Sequence, residues 1–147
     1  MTTQLANPLE VLKSLSDATS ILIKKISESA VAVKAQMSRG TGVVLTKDGY
    51  IVTCNHVLAG CNTVKIGQGE KTFNAKIVGT DPYNDIALLK AEKGEFTPIE
   101  MGDSEKLSVG QYVLALANPF NRAQPTATSG MVTVSYTHLT LPTILRV

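Results

Sequence analysis

Short apolar segments separated by turn residues dominate the chain from Ala30 onward. Val31, Val33 and Ala35 alternate with their neighbours, which is the two-residue period of a strand with one buried face. A hairpin is expected at Asp48-Gly49, since Asp-Gly supplies the positive φ angles that a two-residue turn of the primed type requires. No long helical pattern interrupts this series of segments after Ala30. The sequence therefore predicts an all-β fold, either a barrel or a sandwich.

The segment between Ala30 and Ala117 has the length of about one six-stranded barrel with its loops. Its expected strands are one that begins at Ala30, followed by Gly40–Leu45, Tyr50–Thr53, Thr63–Ile66, Lys71–Val78, Ile86–Lys90 and Gln111–Leu116. A further strand is expected over Ala127–Tyr136. A second sheet or barrel therefore begins after the first.

One helix is expected before the sheet. Asn7 can cap the free amide groups of a helix, and Pro8 is tolerated at the first helical position. Apolar residues then recur at helical spacing as far as Ile26. We expect an amphipathic helix from Pro8 to about Ser29 that packs on its own domain, with contact to an oligomer partner as the alternative.

The composition argues against several classes of partner. The chain has 147 residues, and 14 Lys+Arg against 12 Asp+Glu leave a formal charge of +2. That charge is too small to predict binding to nucleic acid, and the absence of tryptophan weakens any base-stacking role. No apolar run approaches the roughly 20 residues of a membrane-spanning helix. We expect no nucleic-acid partner and no membrane span.

The first residues lack the basic start and the apolar run of about 7–15 residues that mark a secretory signal. As the sequence stands, a cytoplasmic location is therefore expected. If Met1 is not the true start, the cell envelope is expected instead. Cys54 and Cys61 leave the redox compartment open, and the sequence does not decide whether they are bonded.

Two residues with acid–base chemistry flank predicted strands. His56 follows the strand that ends near Thr53, and Asp85 opens the strand that begins at Ile86. Hydrolysis by a serine nucleophile needs an imidazole to move the proton and a carboxylate to hold its tautomer. Two such strand ends can meet at one edge of a barrel. Taken singly, each residue is better explained without catalysis, His56 as a structural histidine and Asp85 as the cap of a turn.

Several segments carry a family resemblance when they are taken together and in order. They are Gly40–Val57, Val78–Lys90, Met101–Ser104, Val109–Gly110, Ala117–Phe120 and Thr128–Val132. In this order they resemble motifs of the HtrA/Deg branch of the trypsin-like serine proteases, and the resemblance extends over roughly Val31–Tyr136.

The resemblance implies a chymotrypsin-like double β-barrel, with the first barrel and the start of the second present here. Together with the helical pattern and the end of the family motifs after Tyr136, it divides the chain into a helix over 1–29, a first barrel over 30–117, the start of a second barrel over 118–136, and a non-native tail over 137–147. It also implies a serine endopeptidase that cleaves unfolded or damaged proteins, in which His56 is the base and Asp85 orients it. No cofactor is implied, and relatives of this kind form homotrimers.

The resemblance is incomplete at the nucleophile. The family's serine sits in a Gly-x-Ser-Gly-Gly sequence, and neither Ser129 nor Ser135 is followed by paired glycines. Both serines are expected to be strand residues, and His138 in the tail is expected to have no role. The missing segment also supplies the oxyanion hole. We therefore expect a truncated gene product that is inactive by itself.

Three other interpretations remain. Cys54, His56 and Cys61 are potential zinc ligands, but structural zinc sites usually bring cysteines in closely spaced pairs, so no metal is expected. Cys54 as a nucleophile is also disfavoured, and this residue is expected to pack as a small apolar side chain. The serious alternative to a protease is a non-catalytic β-barrel that binds extended peptides along a sheet edge.

Overall fold

A computed structural model describes residues 7–58, 60–122 and 125–133, and the backbone of 145–146. The predicted tail 137–147, apart from that short backbone stretch, lies outside the described residues, as do Ser135 and His138. Among the described residues, no helix is both long and apolar enough to cross a bilayer.

The predicted N-terminal helix is confirmed as α1, Pro8–Ser27. It begins where the Asn7 side chain accepts a hydrogen bond from the Leu9 backbone amide at 3.1 Å, which supplies a partner for one free amide of the first turn. Ile26, near its end, is the buried residue of this helix, whereas Ile21 and several earlier apolar side chains are exposed. The helix therefore packs on the sheet through its last turn.

The all-β prediction is confirmed, because six antiparallel strands close into a barrel. They are β1 (Ala30–Lys34), β2 (Arg39–Val44), β3 (Tyr50–Cys54), β4 (Thr63–Gln68), β5 (Lys71–Asp81) and β6 (Ile86–Ala91). Their order around the barrel is β1-β2-β3-β6-β5-β4, and β1 pairs with β4 to close it. Closure gives each of these six strands a hydrogen-bonded neighbour on both sides.

Alternate residues along the strands fill the barrel interior. Ile51 on β3 and Leu89 on β6 stand opposite each other in the strand register, and both are fully buried. Burying one such side chain contributes about 1.5–3 kcal/mol relative to leaving it exposed. The other large side chains that are fully buried in the core are Ile66, Val31, Val33, Val44 and Val64.

The hairpin between β2 and β3 differs from the predicted two-residue turn. Leu45 donates to the Tyr50 carbonyl at 2.8 Å, so four residues form the loop. Within it, Gly49 alone has a positive φ, at 89°. The Thr46 hydroxyl accepts from the Tyr50 amide at 3.0 Å and stabilises this longer loop. The Asp48-Gly49 pair alone does not predict a loop of this length.

A second sheet follows the barrel, as the sequence predicted. It contains β7 (Tyr112–Ala117), β8 (Thr126–Met131) and β9 (Leu145–Arg146), in the order β8-β7-β9. The structure differs from the predicted grouping in one respect, because β7 belongs to this sheet and not to the first barrel. The β1–β4 pairing closes the barrel without β7, so this strand pairs with β8 instead.

Candidate active site

His56 lies on a one-turn helix, α2 (Asn55–Leu58), that continues directly from β3. Val57 and Leu58 are buried, whereas the His56 side chain is 70% exposed. Val57 packs against the backbone of Gly40 so closely that an added Cβ at Gly40 would lie 2.6 Å from Val57 Cγ2. The helix is thus anchored on the barrel by the residues after His56, and the imidazole faces outward.

Asp85 is delivered by the turn between β5 and β6. The Asp81 carboxylate accepts hydrogen bonds from the Tyr83 and Asn84 backbone amides, each at 3.1 Å, and from the Asn84 side chain at 2.7 Å. These bonds, led by that of the Asn84 side chain, lower the pKa of Asp81. This role of Asp81 was not predicted, although an aspartate at the start of a turn is a recognised sequence signal.

The strand register brings His56 and Asp85 together. Cys54, the last residue of β3, stands opposite Ile86, the first residue of β6. The residues immediately outside this pair are Asn55 and Asp85, and the Asn55 amide donates to the Asp85 carbonyl at 3.1 Å. Asp85 adopts a positive φ of 54°, a left-handed conformation that aspartate tolerates better than most residues. The predicted meeting of two strand ends is therefore present.

One carboxylate holds the histidine at two points. Asp85 Oδ1 accepts the His56 backbone amide at 2.8 Å, and Oδ2 lies 2.6 Å from the imidazole Nδ1. These contacts, led by the backbone hydrogen bond, lower the pKa of Asp85 and keep it ionised. An ionised carboxylate can only accept, so Nδ1 carries a hydrogen, and Nε2 is the ring nitrogen left to act as a base.

Cys54 is the third reactive side chain at this end of β3. Ligand atoms of Cys54, His56 and Asp85 all lie within 4.8 Å of one another. Partial burial, and then the charge of Asp85, raise the pKa of the Cys54 thiol. Cys61, the other cysteine among the potential zinc ligands, is not in this group; its sulfur accepts from the Gln36 amide at 3.4 Å. Both cysteines are free thiols.

Ser129 lies on β8, opposite Leu114 of β7. This is the strand position expected from the sequence. Within the part of the chain that the structure describes, no hydrogen bond joins a hydroxyl group to His56, whose ring is hydrogen-bonded to Asp85.

Comparison with known proteins shows to which family the chain is similar. The family described as "Trypsin-like peptidase domain" matches residues 40–143. A probable periplasmic serine endoprotease DegP-like from Marinomonas sp. (strain MWYL1) is 42% identical over 99 residues, which are 67% of this chain and 21% of that protein. The periplasmic serine endoprotease DegP of Escherichia coli (strain K12) is also 42% identical over 99 residues, 65% of this chain and 21% of that protein.

These comparisons correct one prediction. The expected cytoplasmic location is wrong, because the Marinomonas and Escherichia coli relatives are named periplasmic proteins. The absence of a secretory signal from the first residues says little about location, because a targeting signal is separate from the folded domain that carries the similarity. The chain spans about a fifth of the length of these relatives.

The resemblance predicted from the motifs agrees with the comparisons. The match over residues 40–143 includes the barrel from Gly40 of β2 onward, both His56 and Asp85, and the strands β7 and β8 of the second sheet. The chain belongs to the trypsin-like peptidase family, and its relatives include the DegP serine endoproteases.

Proposed function

We propose that this chain is part of the catalytic domain of a serine endopeptidase, in which His56 is the general base and acid and Asp85 orients it. The two-point contact between the Asp85 carboxylate and His56 is the observation that carries the proposal. The trypsin-like family membership supports it, because the order of His before Asp before a serine nucleophile is that of the trypsin template.

The chemistry follows from the protonation of the ring. With Nδ1–H donating to Asp85, Nε2 takes the proton of the attacking serine hydroxyl and later returns it to the leaving amine. Asp85 remains ionised and stabilises the imidazolium that forms between these steps. Proton transfer by a positioned base of this kind contributes typically about 10²–10⁴-fold to rate.

The substrates and the assembly are proposed from the HtrA/Deg resemblance. We place the substrates among unfolded or damaged polypeptides and the assembly as a homotrimer. Acyl-enzyme chemistry needs a serine, a base and oxyanion donors, so the proposed reaction uses no organic or metal cofactor.

The polypeptide of residues 1–147 is proposed to be inactive by itself. It contains no Gly-x-Ser-Gly-Gly sequence, so a nucleophile and the oxyanion donors that accompany it are missing from these residues. We expect no cleavage of casein above buffer and no labelling by a serine-reactive fluorophosphonate probe. His56-dependent turnover by this polypeptide would overturn that part of the proposal.

The role of His56 can be tested in a chimera that supplies the rest of the enzyme. The segment of Escherichia coli DegP that matches this chain is replaced by the corresponding residues of this chain, and casein cleavage is measured. We expect activity, and its loss in His56→Ala. Tyr83→Ala is the matched control, because Tyr83 lies in the turn before Asp85 and its side chain is 96% exposed.

Two outcomes would contradict the proposed role. A chimera that cleaves casein equally well with His56→Ala would show that this imidazole is not the base. A chimera that folds and binds casein without cleaving it would instead favour the non-catalytic peptide-binding module. Far-ultraviolet circular dichroism of every variant establishes that each one is folded.

A further inference from the structure

Beside the His56–Asp85 pair lies a thiol that the proposed mechanism does not use. Cys54 ends β3, is half-buried and has a free sulfur. One ligand atom from each of Cys54, His56 and Asp85 lies within 4.8 Å of the other two. A thiol, an imidazole and a carboxylate therefore converge where β3 and β6 meet.

These three donors select a class of metal ion. Thiolate sulfur and imidazole nitrogen suit Zn²⁺, whereas Mg²⁺ and Ca²⁺ take oxygen ligands. When the thiol of Cys54 gives its proton to solvent, Cys54 and Asp85 together carry two negative charges, which balance one divalent cation. Three protein ligands leave the fourth position of a tetrahedral zinc for water.

We propose that Cys54, His56 and Asp85 bind one Zn²⁺ ion through the thiolate, the imidazole Nδ1 and a carboxylate oxygen. The ion takes the place of the hydrogen that Nδ1 now donates to Asp85, and the ring stays neutral because it carries its hydrogen on Nε2 instead. Two ligand atoms on a tetrahedral zinc stand about 3.4 Å apart, so the present 2.6 Å contact must open by about 0.8 Å.

The surroundings of the pair permit this opening. The side chains of His56 and Asp85 are 70% and 46% exposed, so both can separate without disturbing the core, and the ion can enter directly from solvent. Cys54 is fixed more firmly, because its backbone pairs with Ile86 in the β3–β6 ladder. The thiolate thus projects from a fixed backbone position, and the imidazole and carboxylate supply two adjustable ligands.

Zinc at this position excludes the proposed base function. A metal on Nδ1 and on the Asp85 carboxylate replaces the hydrogen bond that orients His56, so the ion would act as an inhibitor of the complete enzyme. Zinc binding itself does not depend on the proposed function, because it needs neither a nucleophile nor a substrate.

The test is a titration of the metal-free 147-residue chain with Co²⁺, followed by displacement with Zn²⁺. We expect a thiolate-to-cobalt charge-transfer band that saturates at one Co²⁺ per chain and disappears as Zn²⁺ is added. Cys54→Ser should lose the band. It should also weaken Zn²⁺ binding by at least about 10–100-fold, because that is the typical loss when a residue that only hydrogen-bonds to a metal ligand is removed. Cys61→Ser is the matched control and should keep the charge-transfer band and the affinity for Zn²⁺. A band that persists in Cys54→Ser, or that vanishes in Cys61→Ser, overturns the proposal.

A second measurement needs no substitution. The wild-type chain is alkylated with iodoacetamide, with and without Zn²⁺, and each cysteine is followed by mass spectrometry. Zn²⁺ should slow the modification of Cys54 and leave that of Cys61 unchanged, although both are free and half-buried. Protection of neither thiol, or equal protection of both, overturns the zinc site. That result would leave the chimera assay of His56 unaffected, so the two proposals fail separately.

Discussion

The carboxylate of Asp85 spans the backbone and the ring of His56, with hydrogen bonds of 2.8 Å to the amide and 2.6 Å to Nδ1. One side chain thereby fixes where the histidine lies, how its ring is turned and which nitrogen carries the hydrogen. A carboxylate suits this task because it can accept both hydrogen bonds at once.

Asp85→Asn should separate the positioning role from the tautomeric role. The amide oxygen can still accept the His56 backbone amide, but the NH₂ group would donate to Nδ1 and leave the hydrogen on Nε2. In the DegP chimera, kcat for casein should fall by about 10⁴-fold, the magnitude of this substitution in the trypsin template. Nitrogen NMR of the His56 ring should show the tautomer change. A loss below about tenfold would contradict the assigned role of Asp85.

Gly40→Ala should destabilise the barrel at the base of α2. The new Cβ would lie 2.6 Å from Val57 Cγ2, and overpacking of this kind typically costs about 1–3 kcal/mol. Urea unfolding measures the change in free energy. Gly79→Ala is the matched control, because an added Cβ there meets nothing within 4 Å.

A double-mutant cycle identifies the cause of that loss. Val57→Ala removes the methyl groups that the new Cβ would meet, so the double variant should recover part of the stability lost in Gly40→Ala. Losses that simply add would show that Gly40 and Val57 do not interact, against the packing seen here.

Much of the fold was predictable because its signals are local. The two-residue alternation around Val31 identified a strand, and the Asn7-Pro8 pair identified the start of α1. The neighbourhood of His56 and Asp85 was also predictable from their positions at strand ends. The register between β3 and β6 could not be predicted from the sequence. In this register Cys54 stands opposite Ile86, so the thiol lies beside His56 and Asp85.

The features that were missed depend on contacts between residues far apart in sequence or on side chains outside the motif. The assignment of Tyr112–Ala117 to the second sheet depends on closure of the barrel by the β1–β4 pairing. Thr41 Oγ1 on β2 accepts from the Asn118 amide at 2.8 Å, and this contact ties the end of β7 to the barrel. The wider hairpin depends on the hydroxyl of Thr46. None of these three features can be predicted from the spacing of apolar residues along the sequence.

Leu89→Ala should cost about 2–5 kcal/mol of unfolding free energy, because it leaves a cavity in the barrel interior. Leu89 is fully buried and stands opposite Ile51, so the strands around it cannot collapse into the space without breaking their register. The measurement is urea unfolding followed by circular dichroism. Met37→Ala is the control, since Met37 is 91% exposed and should change stability by no more than about 0.5 kcal/mol. Equal losses in the two variants would contradict the assigned core.

The stabilisation that the Asp48 carboxylate gives to the barrel should be lost in acid. Lys90 donates to the Asp48 carboxylate at 2.8 Å, and this bond, followed by one from Thr46, lowers the pKa of Asp48 below its usual 3.8. Because the folded pKa lies below the unfolded one, the stabilisation is present above about pH 4 and is lost as the pH falls through the folded value. The difference in urea midpoint between wild type and Asp48→Asn should therefore shrink from about pH 6 to about pH 2. High salt should reduce the difference at pH 6, since the carboxylate is exposed. A difference that stays constant or grows in acid would show that the Asp48–Lys90 contact does not stabilise the folded chain.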